Sequence, residues 1–86
     1  MKIYYTGKFS SSYKKLPISI KKEAEHKEKL FRKNPFDPVL KTHKLTGKFK
    51  SFWSFSIDAK HRIIFEFSDK DEVVFHKAGT HDVYRK

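Results

Sequence analysis

The sequence predicts a single α+β domain spanning residues 1–86: an N-terminal strand, two helices and a three-stranded antiparallel meander, with the helices packed on one face of the sheet. Three observations support this prediction. The length suits one domain. Apolar residues recur at helical spacing up to residue 33, and after residue 47 they alternate with polar ones, which is typical of strands.

The N-terminal segment KIYYT is rich in residues that favour a pleated surface and predicts the first strand. Phe9, Tyr13 and Leu16 share one helical face, and the serines among them offer an N-cap. After Pro17, a second helical pattern runs over residues 18–33. The segment NPFDP ends it, because proline cannot continue a helix.

The meander begins after the second helix, and its three strands are separated by the turns DAK and SDKDE. In the first strand, Trp53, Phe55 and Ile57 alternate with Ser54 and Ser56. The segments HRIIFEF and VVFHK provide the other two strands. The tryptophan shares a face with two apolar neighbours, so we expect it in the core.

Charge is the most distinctive feature of the composition. The chain has 20 Lys and Arg against 10 Asp and Glu, a net charge of +10, and no acidic residue lies between Asp37 and Asp58. Such a surface attracts polyanions, of which nucleic acid is the commonest, although a merely solubilising surface or affinity for anionic lipid is the alternative.

Several other classes of protein are excluded because the sequence lacks their characteristic features. There is no cysteine for a disulfide scaffold or a cysteine zinc site. No apolar run resembles a signal peptide or reaches membrane-spanning length, so we expect a cytoplasmic protein with no membrane partner. The scattered histidines form no metal-ligand pair, and there is no glycine-rich phosphate loop or nucleophile elbow. We expect neither a metal nor a small-molecule cofactor.

Strand alternation places Arg62 on the face of the sheet that the helices leave open, together with Ser54 and Ser56. An arginine there can bind a phosphate through two hydrogen bonds. Glu66 follows on the same face, so a structural salt bridge with Arg62 is an equally supported alternative.

Two histidines and a tyrosine complete the candidate site. The cationic neighbours of His43 favour its neutral form, which accepts a proton, and Asp82 favours the protonated form of His81. Tyr84 can stack on a base. A passive role in a loop, a terminal turn or packing is the alternative for each. With Arg62, two such histidines suit metal-free cleavage of RNA, whose 2′-OH supplies the nucleophile.

The segment KLTGKFKSFWSFSIDAKHRIIFEF, followed by GTHDVYRK, resembles the RelE/ParE superfamily of toxins, and within it the RelE, YoeB and YafQ mRNA interferases. The similar features are a Leu-x-Gly before the sheet, a central tryptophan, the arginine of HRIIF and a terminal Gly-x-His before an aromatic residue. By motif, the resemblance covers roughly residues 30–86.

The resemblance implies a type II toxin that cleaves mRNA on the ribosome, contacts rRNA and is neutralised by a cognate antitoxin. It implies His43 as general base, Arg62 on the phosphate, His81 as general acid and Tyr84 against the substrate. Further substrate contacts are expected from polar and basic residues of the same region: Lys41, Lys44, Lys48, Lys50, Ser54 and Ser56.

Two other functions are compatible with the sequence. ParE-type relatives share the fold but bind DNA gyrase and lack the nuclease residues. Ser54 and Ser56 stand where interferases carry basic side chains, which favours that alternative, whereas the two histidines and Arg62 oppose it. A non-catalytic RNA-binding module is the third candidate.

Overall fold

The computed structural model describes residues 1–47 and 51–80, which form two helices and a mixed five-stranded sheet. The elements are β1 (Lys2–Tyr5), α1 (Gly7–Lys14), α2 (Ile18–Lys33), β2 (His43–Lys44), β3 (Trp53–Ser56), β4 (His61–Asp69) and β5 (Glu72–Thr80). The α+β prediction is confirmed, and α2 spans the residues that the helical pattern predicted.

The sheet is wider than the predicted meander. Its strand order is β1-β5-β4-β3-β2, with β1 parallel to β5 and the other pairs antiparallel. Strands β1 and β2 therefore lie at opposite edges of the sheet, and the chain between them contains the two helices. Strand β2 has two residues and falls in a segment predicted as a loop, because two residues are too few to show alternation.

Strand β5 also runs further than the sequence indicated, ending at Thr80. Its pairing with β4 shifts register between Ile64↔Lys77 and Phe65↔Phe75, so His76 is an extra residue in the ladder. A β-bulge of this kind turns neighbouring side chains towards the same face. The sequence predicted a shorter strand because Gly79 permits a sharp turn.

Helix α1 is capped by Thr6, whose side-chain oxygen accepts a hydrogen bond from the backbone N–H of Phe9 at 3.0 Å. The prediction of a serine cap is wrong, because the serines lie inside the helix. The Thr6 hydroxyl also donates to the carbonyl of His76 at 3.2 Å, and Ser12 Oγ accepts from the N–H of Ala78 at 2.9 Å. The side-chain hydroxyls of Thr6 and Ser12 thus form hydrogen bonds with backbone groups of β5 that lie beyond the end of β1.

We expect Thr6→Ala to lower the free energy of unfolding by about 1–2 kcal/mol, because it removes both the N-cap and the bond to β5. Urea denaturation measures this loss. Ser10→Ala is the matched control, since Ser10 is exposed within the same helix. Equal midpoints for the two variants would show that the cap contributes nothing.

The core is a cluster of phenylalanines between α2 and the sheet. The ring of Phe31 on α2 lies 4.7 Å from that of Phe55, 5.0 Å from that of Phe65 and 5.6 Å from that of Phe75, measured between centroids. All four side chains are fully buried. The predicted core position of Trp53 is confirmed, since it is half-buried and packs against this cluster. Because the helices cover this face, the opposite face of the sheet is left for the candidate site.

Candidate functional site

The register of three neighbouring strands brings four predicted site residues onto the face opposite the helices. His43 of β2 pairs with Ser54 of β3, and Ser56 of β3 pairs with Arg62 of β4. Residues directly opposite each other project from the same face of a sheet. The pairing is antiparallel, and Phe55 between the serines points into the core, so the open-face prediction for Arg62, Ser54 and Ser56 is confirmed.

Arg62 is held in place by its neighbour on β3. Its Nη1 donates a hydrogen bond to Ser56 Oγ at 2.8 Å. Glu66 bonds instead to a different residue, with its Oε1 at 3.0 Å from Nε2 of His76. The alternative of an Arg62–Glu66 salt bridge is therefore not what the structure shows.

Arg62 and Ser56 line an open pocket of about 310 Å³. Lys27 of α2, Lys41 and the turn residue Asp58 also line it, so the pocket lies where α2 meets the end of the sheet. Lys27 Nζ is engaged by Glu23 Oε2 at 2.9 Å and by the carbonyl of Ile57 at 2.7 Å. With the three cationic side chains of Arg62, Lys27 and Lys41 against the one carboxylate of Asp58, the lining suits an anionic group such as a phosphodiester.

The turn that follows Ser56 is organised by the carboxylate of Asp58. Its Oδ1 accepts hydrogen bonds from the backbone N–H groups of Lys60 at 2.8 Å and His61 at 2.7 Å, and it lies 3.0 Å from His61 Nδ1. Partial burial raises the pKa of Asp58, but these hydrogen bonds outweigh it and hold the pKa below the ordinary value. The ionised carboxylate thus stabilises the turn that aligns Ser56 with Arg62.

His43 is exposed, and its ring orientation is set by the backbone. Its Nδ1 lies 3.1 Å from the carbonyl oxygen of Lys41. A carbonyl can only accept, so Nδ1 carries the hydrogen in this bond, and the neutral ring keeps its lone pair on Nε2. Lys41 itself has a φ of 52°, in the left-handed region that is costly for a side chain other than glycine. This conformation carries the chain from the short 3₁₀ turn at Pro38–Leu40 into β2.

The remaining predicted contacts are placed less favourably. Ser54 lies on the predicted face but is fully buried, which leaves no surface for a substrate contact. Lys44 pairs with Trp53, so alternation directs it to the face opposite His43. Lys48, Lys50, His81 and Tyr84 lie outside the described residues, and their roles stay predictions.

Within residues 1–47 and 51–80, no group of three or more His, Asp or Glu side chains is arranged to hold a metal ion. No helix in the same part of the chain is long and apolar enough to span a membrane.

The predicted site residues did not include Phe52, Glu66 and His76, which lie together on the open face. The rings of Phe52 and His76 are stacked at 4.8 Å with an interplanar angle of 24°, and Glu66 bonds to the same imidazole. Alternation already indicated the face of Glu66. The position of His76 depends on the β-bulge, for which the sequence carries no local signal.

The fold is that of the YafQ and YoeB toxins, as the resemblance predicted. Neither a protein-family model nor a curated protein sequence matches the chain. Among solved structures, YafQ in the E. coli DinJ–YafQ toxin–antitoxin complex has a TM-score of 0.79 at 24% identity, covering 99% of this chain and 97% of that one.

Two further structures have the same fold. The YoeB/ParE toxin from Agrobacterium tumefaciens has a TM-score of 0.77 at 19% identity, covering 94% of this chain and 99% of that one. A chain of the YoeB–YefM complex from Staphylococcus aureus has a TM-score of 0.75 at 18% identity, covering 94% and 97%. Similarity at these identities establishes the architecture.

Proposed function

We propose that this protein is the toxin of a type II toxin–antitoxin system and cleaves ribosome-bound mRNA in the cytoplasm as a metal-independent endoribonuclease. The main support is Arg62, which lies on the open face of a YafQ/YoeB-type fold, donates a hydrogen bond to Ser56 and lines a pocket with Lys27 and Lys41. His43 lies on the same face with its ring orientation set by a carbonyl.

In the proposed reaction, Nε2 of His43 takes the proton from a ribose 2′-OH. The 2′-oxygen then attacks the adjacent phosphorus, and the bond from phosphorus to the 5′-oxygen breaks. Arg62 stabilises the charge that develops on the phosphoryl oxygens. His81 would protonate the departing 5′-oxygen, with Tyr84 against the substrate. The products are a 2′,3′-cyclic phosphate and a free 5′-hydroxyl.

The charge of the chain supports the proposed partners. The net charge of +10 and the cationic pocket favour the RNA backbone of mRNA and rRNA, through contacts that weaken with salt. The same charge suits an antitoxin that carries an acidic or amphipathic segment, as a neutralising partner of this face. Two of the similar structures are complexes of a toxin with its partner, DinJ with YafQ and YefM with YoeB.

The proposal is tested by primer extension on mRNA in a translating extract. We expect codon-phased cleavage by the wild-type protein, and a loss of about 100-fold or more in His43→Gln, which keeps a polar side chain but cannot act as the base. Wild-type cleavage that His43→Gln retains at full rate would remove His43 from the mechanism.

Expression of the protein in bacterial cells distinguishes the proposed nuclease from the two alternative functions. DNA damage and filamentation without mRNA cleavage would indicate a gyrase-binding toxin. RNA binding without either effect would indicate a non-catalytic RNA-binding module.

A further inference from the structure

Beyond Arg62, the open face carries a second cluster that spans three strands. Phe52 directly precedes β3, Glu66 lies on β4 and His76 lies on β5. Trp53 pairs with Phe65, so Phe52 stands across from Glu66 on the face of Arg62. The Phe52 ring reaches across β4 to stack on the imidazole of His76 at 4.8 Å. We call these three residues the aromatic–acid cluster.

The cluster is accessible and has hydrogen-bonding capacity left. The side chains of His76 and Glu66 are 28% and 37% exposed, respectively. The His76 ring donates from Nε2 to Glu66 Oε1 at 3.0 Å, which leaves Nδ1 as an acceptor in the neutral ring. A carboxylate has about four acceptor positions, and this bond uses one of them. The cluster therefore combines an aromatic surface with an oriented acceptor.

Its position relative to Arg62 suits a neighbouring nucleotide and not the scissile phosphate. Arg62 and Glu66 are four residues apart on one strand face, which corresponds to roughly 13 Å at the rise of a β-strand. Ile64 and Ser54 lie between them on this face and are buried, so a single strand bound by Arg62 would pass over this covered stretch to reach the cluster. Exposed bases of single-stranded RNA are commonly bound by stacking on aromatic rings and by hydrogen bonds to their edges.

We propose that the aromatic–acid cluster is a nucleobase subsite that prefers bases carrying an exocyclic amino group over uracil. The base stacks against the Phe52–His76 pair, and its amino group donates to the Glu66 carboxylate. Adenine, cytosine and guanine offer such a donor, whereas uracil has no amino group and its single N3–H donor lies between two carbonyl oxygens that a carboxylate repels. This subsite deepens the proposed nuclease function and rests on RNA being the ligand.

The test is a binding measurement that does not depend on cleavage. The probes are short fluorescent RNAs with 2′-O-methyl groups, which block the internal nucleophile, in adenine, cytosine and uracil series. Fluorescence anisotropy with the full chain is expected to show about tenfold tighter binding of the adenine and cytosine series than of the uracil series, the size of effect given by one good base-edge contact. Discrimination of less than twofold would overturn the subsite.

Glu66→Gln identifies the acceptor, because the glutamine carbonyl can still receive the hydrogen bond of His76 while its amide group can donate to uracil. We expect discrimination to fall to within about twofold as uracil binding improves. Glu25→Gln is the matched control, since it makes the same charge change on the exposed surface of α2, and it should keep the wild-type discrimination. Unchanged discrimination in Glu66→Gln would also overturn the assignment.

Different results would contradict the nuclease function and the nucleobase subsite. Selective binding without cleavage in the translating extract would support the subsite and oppose the nuclease. Cleavage without base discrimination would support the nuclease and overturn the subsite. Absence of binding to all of the short RNAs would overturn the subsite, whereas the nuclease is judged by cleavage in the translating extract.

Discussion

Arg62→Ala is expected to reduce mRNA cleavage by about 100- to 1000-fold, the loss seen when an oriented donor to a developing negative charge is removed. The guanidinium is held by Ser56 at 2.8 Å on a strand, so little reorganisation is needed when the phosphate binds. Cleavage is measured by primer extension, and the growth of cells expressing each variant provides a second measure. Growth arrest should be relieved in parallel.

Arg62→Lys is the informative companion variant. It keeps the positive charge but loses the planar pair of donors, so we expect an activity between those of the wild type and the alanine variant. Circular dichroism and urea midpoints near the wild-type values would show that both proteins are folded. Full toxicity of a folded Arg62→Ala variant would contradict the proposed site.

Phe31→Ala is expected to lower the free energy of unfolding by about 3–5 kcal/mol, because it removes a large buried side chain and leaves a cavity. Phe31 is fully buried and its ring contacts those of Phe55, Phe65 and Phe75, so it is the main connection between α2 and three strands. Since small domains have a total stability of roughly 5–15 kcal/mol, this loss would leave a substantial unfolded fraction near 37 °C.

Urea denaturation followed by circular dichroism measures the effect. Phe36→Ala is the control, because the Phe36 side chain is 54% exposed, although its ring contacts Trp53 and Phe67. We expect it to cost clearly less than Phe31→Ala. Equal losses would mean that the α2 contact is not the centre of the core.

Much of the fold was predictable because it depends on local periodicity. The helical pattern over residues 18–33 coincides with α2, and the alternation around Ser54 and Ser56 correctly placed Arg62 on the open face. The helix cap was assigned wrongly to the serines, because Thr6 is fixed by its carbonyl partner on β5, more than sixty residues away.

The candidate site was predictable only in outline. The face of Arg62 follows from side-chain alternation, which is a property of each strand alone, whereas the face of His43 depends on the pairing of the two-residue strand β2 with β3. The burial of Ser54 and the orientation of His43 by the Lys41 carbonyl depend on which segments come together, and no local pattern encodes them. The same holds for the stacking of Phe52 on His76.

The sequence by itself thus determines the charge, the helix and strand periodicity, and which strand residues face the core. Each of these features arises from neighbouring residues along the chain. Strand order, the register shift at His76 and the partners of Arg62 and Glu66 were decided by tertiary structure. Those features depend on contacts between residues distant in sequence, whose free energies are realised only when the core around Phe31 has assembled.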